Sequence, residues 1–123
     1  MVFDRMIENA HIQKAIKTAR QSNVRRGKVA AMAFTKSGQL LAFANNRRVT
    51  GNKVWTEHAE EVLLRKLNKL RAFDRYGRLK IFVLRITSTG VSMAKPCVKC
   101  QSLLDRYDCE VFYTDWDARI FCL

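Results

Sequence analysis

His58-Ala59-Glu60 and Pro96-Cys97-Val98-Lys99-Cys100 are the two segments that constrain this chain most. Together they supply one imidazole, two thiols and a free carboxylate. A fold that uses them must bring two distant helix starts to one point. Pro96 suits the first turn of a helix, where its missing N–H is not needed. Cys97 and Cys100 are three apart, so both thiols lie on one helix face. The positive end of the helix dipole favours thiolates there, and the thiolate is the metal-binding form. One imidazole and two thiolates leave a fourth tetrahedral position open to water, which is the pattern of a catalytic zinc site. Zinc held by protein brings the pKa of water down to about 7. His58 and Glu60 stand at i and i+2, which point apart in mid-helix. Both reach one metal only if His58 sits at the first turn, and the cap-like Thr56-Glu57 permits that. A carboxylate in that place takes the proton of the water and hands it on.

The bulk properties describe an ordinary small domain. At 123 residues, 48% hydrophobic and 28% charged, the chain is expected to form one domain, 1–123, with one core. A single proline and five glycines leave no long flexible linker. There is no internal repeat or low-complexity stretch. No apolar run approaches the ~20 residues of a membrane span, and Met1-Val2-Phe3-Asp4-Arg5 lacks the layout of a signal peptide. The expected compartment is the cytoplasm, with no membrane partner. The cysteines agree: in a reducing compartment a C-x-x-C is a metal or redox site more often than a disulfide. Cys109 and Cys122 read as small buried hydrophobes. An inert structural zinc site with Cys109 as fourth ligand is the competing metal reading. Net charge is +12, from 23 Lys and Arg against 11 Asp and Glu. That excess points to polyanions or phosphorylated ligands, with solubility as the bland alternative.

The remaining pattern alternates helices and strands. Residues 6–21 read as a helix, and Ser22-Asn23 with Gly27 end it. Val29 to Phe34 is a short apolar run, as expected for a strand covered on both faces. Lys36-Ser37-Gly38 is a turn, and Leu40 to Ala44 returns as the second strand of a hairpin. Residues 45–56 are polar, basic and irregular, and a loop of that length is usually functional. His58 to Leu70 is an amphipathic helix with Val62, Leu63, Leu67 and Leu70 inward and Arg65, Lys66 and Lys69 outward. A strand over 79–86, with Ile81, Val83 and Arg85 alternating, ends at Thr87-Ser88-Thr89-Gly90. A helix over 97–106, a strand over 110–114, a turn at 115–117 and a last strand over 118–123 complete the chain. The order is α, β, β, α, β, α, β, β, an α/β sandwich with helices on both sheet faces.

His-x-Glu followed by Pro-Cys-x-x-Cys is the signature of zinc deaminases of nucleobases. On these residues the chain resembles the cytidine/deoxycytidylate deaminase superfamily over nearly its whole length. The resemblance implies a three-layer α/β/α sandwich with a five-stranded mixed sheet, and Zn2+ between the starts of the two motif helices. It implies His58, Cys97 and Cys100 as ligands and Glu60 as proton shuttle. It also implies an asparagine after the second strand, against the sugar: Asn46, with Asn45 as the alternative. His58 in place of cysteine is similar to the deoxycytidylate, tRNA-adenosine and polynucleotide branches. The short tail is similar to the free-nucleoside branch and implies an antiparallel final hairpin. The stretch from Val83 to Cys97 resembles small deaminase-like proteins of viral genomes, whose compartment would be the host cytoplasm. Met93-Ala94-Lys95 stands where polynucleotide cytosine deaminases carry Ser-Trp-Ser.

The reading that follows is a zinc-dependent hydrolytic deaminase of a cytosine-type base, with a nucleoside or nucleotide as substrate. A deaminase of single-stranded DNA or RNA, an adenine deaminase, and a catalytically silent nucleic-acid-binding protein are the alternatives. Homo-oligomers fit the resemblance. Ala59 is expected at the substrate, inside the motif. Trp55 and Trp116 are candidates for stacking a base, worth ~1–3 kcal/mol at single-strand sites. Arg47, Arg48 and Lys53 are candidates for holding phosphate.

Overall fold

The computed structural model describes residues 9–51, 53 and 55–123. Helix α1 (Asn9–Arg20) leads into the hairpin β1 (Lys28–Phe34) and β2 (Leu40–Asn45). A short ribbon of β3 (Arg47–Val49) and β4 (Trp55–Glu57) precedes α2 (Ala59–Leu70) and a one-turn α3 (Ala72–Tyr76). Then come β5 (Leu79–Thr87), β6 (Gly90–Ser92), α4 (Val98–Leu104), β7 (Cys109–Thr114) and β8 (Ile120–Cys122).

The main sheet runs β2-β1-β5-β7-β8, and β6 adds to the end of β5. Among the described residues only β5 and β7 pair in parallel, with Ile81 opposite Val111, so the sheet is mixed. That parallel pair needs a crossover, and α4 supplies it. The expected five-stranded path is therefore present, with β6 as an extra three-residue strand. The last two strands form the expected antiparallel hairpin.

The period of two in β1 and β5 builds two cores. Ala30, Met32, Phe34, Phe82, Leu84 and Phe112 face α1 and pack with Ala15 and Ala19. Ala31, Ala33, Ile81 and Val83 face the other way and pack with Val62, Leu63 and Leu67 of α2 and Leu104 of α4. Phe34, Phe82 and Leu63 are almost wholly buried, and each such side chain contributes about 1.5–3 kcal/mol. The result is the expected three layers, with α1 on one face and α2 and α4 on the other. Among the described residues no helix is long and apolar enough to cross a membrane.

Several expectations are corrected. The polar stretch 45–56 is in part a ribbon rather than a loop, with Arg47 opposite Glu57 and Val49 opposite Trp55. Leu70 is not inward: it is 45% exposed at the end of α2, where Arg71 turns left-handed at φ 54° and the helix stops. Leu64 is buried in its stead. The second motif helix is shorter than expected and closes at Leu104, and the final strand starts at Ile120, after Ala118 at φ 61°. Cys109 and Cys122 are half-buried rather than buried. The part of the first helix expected over residues 6–8 lies outside the described residues.

Candidate active site

His58 is the N-cap of α2, with extended backbone (φ −75°, ψ 147°). Its backbone N–H donates to Glu61 Oε1 at 3.3 Å, one half of a capping box. Cys97 is the N-cap of α4 in the same conformation (φ −67°, ψ 167°). Two helix starts thus meet above one end of the sheet. A cap residue projects beyond the helix axis, which is how His58 and Glu60 both approach one point in spite of their i, i+2 spacing.

His58 Nδ1 lies 3.2 Å from Cys100 Sγ and 3.7 Å from Cys97 Sγ. All three ligand atoms lie within 4.8 Å of one another. Zn–N of ~2.05 Å and Zn–S of ~2.3 Å at tetrahedral angles require N···S separations of about 3.6 Å, so the observed pair brackets the value zinc needs. Soft thiolates with an imidazole are also the donor set zinc prefers. Burial, and then the Glu60 carboxylate, push the Cys100 thiol far up from its ordinary value. A buried thiol of that kind ionises when a cation holds it. Cys109 is not in this cluster, which among the described residues is the one group of three such ligands. Its thiol faces the Leu104 carbonyl at 3.7 Å, and burial pushes it up to about 11.

Glu60 follows in the first turn of α2 and is 5% exposed. Burial raises its carboxyl above the ordinary carboxylate value, while its own backbone N–H, His58 and the Cys100 thiol pull the other way. A carboxyl held there is suited to carry a proton between two partners.

The cluster opens on a cavity of about 300 Å³, at the lower end of small-ligand sites. Asn46, His58, Ala59, Glu60 and Cys97 line it. Asn46 rather than Asn45 therefore faces the cavity; Asn45 donates to the Thr18 carbonyl at 3.1 Å. Asn46 is itself tied down. Its Oδ1 accepts from the Val29 N–H at 2.9 Å, and its Nδ2 donates to the Gly27 carbonyl at 3.0 Å. These two bonds fix the amide orientation and leave one N–H free.

The family whose model matches residues 6–114 is the cytidine and deoxycytidylate deaminase zinc-binding region. The chain belongs to that family. Its cofactor is accordingly Zn2+, which the His58, Cys97 and Cys100 cluster fits. No curated protein matches the chain in sequence. Among solved structures, the dCMP deaminase of cyanophage S-TIM5 superposes with a TM-score of 0.68 at 22% identity, covering 93% of this chain and 86% of that one. The cytidine deaminase of Burkholderia pseudomallei gives 0.62 at 17% identity, covering 94% and 91%. That of Mycobacterium leprae gives 0.60 at 18%, covering 94% and 93%. These likenesses establish the deaminase-family fold.

Other residues singled out in the sequence stand away from the cavity of this family member. Trp55 is 51% exposed on β4, and Trp116 is 70% exposed in the β7–β8 turn. Arg47 pairs with Glu57 at 3.2 Å, and Arg65 pairs with the same carboxylate. Arg65, then Arg47, hold that carboxyl below its ordinary value. Arg48 is exposed, with its backbone N–H on Asn23, and Lys53 is exposed. The cavity wall instead carries Arg26, Arg85 and Lys95, which sequence reasoning did not place there. Arg85 had a readable signal: it continues the Ile81, Val83 alternation on the face of β5 that looks towards the motif helices.

Proposed function

We propose that this chain is a zinc-dependent hydrolytic deaminase of a cytosine-type base. The observation that carries the reading is the buried Glu60 carboxyl beside three convergent zinc ligands, two of which, His58 and Cys97, line a base-sized cavity. A site that only held metal for stability would have no use for that carboxyl. His58, Cys97 and Cys100 hold Zn2+, which when bound supplies an activated water. Glu60 takes one proton from that water and delivers it to the ring nitrogen as the oxygen bonds the amine-bearing ring carbon. It then takes the second proton from that oxygen and delivers it to the amine, whose bond to carbon breaks as ammonia leaves. Its raised pKa matches both halves of that task. Ala59, with no side chain beyond Cβ, leaves the cavity floor open to the base. The remaining N–H of Asn46 meets the substrate sugar, a role that its position in the cavity lining supports. The family description and the deaminase structures it resembles support a cytidine or deoxycytidylate substrate.

The test is ammonia release by zinc-loaded protein from cytidine, deoxycytidine, their monophosphates, adenosine and guanine, and from single-stranded DNA and RNA. Release from a cytosine-bearing member, with none from adenosine or guanine, is expected. Release from adenosine alone would overturn the choice of base. Silence from every member with zinc bound would overturn the activity.

A further inference from the structure

The excess positive charge is not spread evenly around the site. Beside the catalytic cavity lies a second, larger trough of about 770 Å³. Arg20, Arg25, Arg26, Lys28 and Arg85 line it, and no acidic residue does. Arg26, Gly27 and Arg85 belong to both walls, so the two spaces adjoin.

Three segments build the trough. Arg20 ends α1, Arg25 and Arg26 stand in the turn before β1, and Arg85 is register partner to Val29 across β1 and β5. Gly27 stands where the Arg85 guanidinium comes closest to the turn. It turns left-handed at φ 61°, and a Cβ there would run into the Arg85 guanidinium.

Elsewhere on the surface arginines hold acids: Arg47 and Arg65 share Glu57, Arg78 holds Asp108, and Arg119 holds Asp115 and Asp117. Among the described residues Arg20, Arg25, Arg26 and Arg85 hold none. Lys28 alone is engaged, donating to the Ser22 carbonyl. Four unpaired guanidiniums in one concavity repel one another, and an anion relieves that cost. Guanidinium forks suit phosphate oxygens. One phosphate attached to a nucleoside in the cavity meets Arg26 and Arg85 at the shared wall. Arg20, Arg25 and Lys28, farther along a trough more than twice the size of the cavity, call for further phosphates.

We propose that the trough carries the phosphates of a single-stranded nucleic acid whose target base enters the catalytic cavity. The strand backbone follows the basic groove, as in other single-strand binders. This rests on the deaminase reading for the identity of the target base, but strand binding is measurable without turnover.

The experiment is fluorescence anisotropy of labelled single-stranded DNA and RNA oligonucleotides with zinc-loaded Glu60→Gln, across a salt series. Arg20→Gln with Arg25→Gln is compared with Lys69→Gln with Arg106→Gln, which removes equal charge from exposed positions outside the trough. At ~0.7 per contact in log–log slope, losing two contacts lowers the salt slope by about 1.4 and the affinity at 0.1 M salt by roughly 25-fold. The control pair is expected within about twofold of the parent. Equal loss in both pairs, no binding, or displacement by a nucleoside triphosphate at matched phosphate concentration would overturn the proposal. Deamination of a free nucleotide without strand binding would overturn the trough alone. Trough-dependent binding without ammonia from any substrate would overturn the deaminase reading alone.

Discussion

Replacing Asn46 with alanine should destabilise the fold even without substrate. Its amide joins the start of β1 to the turn at Gly27, through Val29 N–H at 2.9 Å and Gly27 C=O at 3.0 Å. The Ser22 hydroxyl, 2.9 Å from Oδ1 and 2.6 Å from the Asn46 carbonyl, shares its one proton between them. Alanine leaves the Val29 donor and the Gly27 acceptor without partners, at about 1–3 kcal/mol each when buried. Water entering from the adjacent cavity reduces this, so about 2–4 kcal/mol is expected in total. At ~4 °C per kcal/mol for a domain of this size, Tm falls by roughly 8–16 °C. Asn46→Asp keeps the acceptor for Val29 but sets a carboxylate against the Gly27 carbonyl, and it should fall at least as far. Thermal unfolding followed by circular dichroism, with and without zinc, is the assay. A shift below about 2 °C in both variants would refute the reasoning and leave Asn46 as a substrate contact only.

Leu63→Ala removes a side chain buried between α2 and the sheet; a loss of about 2–5 kcal/mol in urea unfolding is expected. Ala118→Gly relieves a left-handed alanine at φ 61° in the β7–β8 turn and should raise stability by about 1 kcal/mol in the same assay. Cys100→Ser should bring zinc content, read by elemental analysis, from one ion per chain to well below half. Chelation of the wild type should lower Tm, and added Zn2+ should restore it.

The strongest sequence signals were those backed by geometry of short range. The C-x-x-C and H-x-E spacings each place groups on one helix start, and the structure brings the two starts together at His58, Cys97 and Cys100. A continuous apolar run gave β1, because a strand covered on both faces leaves no room for polar residues, and the alternation of Ile81, Val83 and Arg85 gave β5. The ribbon at Arg47–Val49 and Trp55–Glu57 was not legible, since strands of three residues are too short to show alternation. The end of α2 at Leu70 was legible although Arg71, not glycine, takes the left-handed position; the exposure of Leu70 in the last turn was not. The cavity wall was the least legible part. Arg26, Arg85 and Lys95 come from three distant segments, and only the folded cavity shows that they share a space.

Ammonia release by wild type and Glu60→Gln, each carrying equal zinc and given the best cytosine-bearing substrate, tests the central claim most directly. Glutamine keeps the shape and the metal but cannot carry the proton. A loss of about 10²–10⁴-fold at unchanged zinc content and fold is the predicted result. Activity retained within a few-fold would contradict Glu60 as the proton shuttle, and with it the hydrolytic mechanism built on this site.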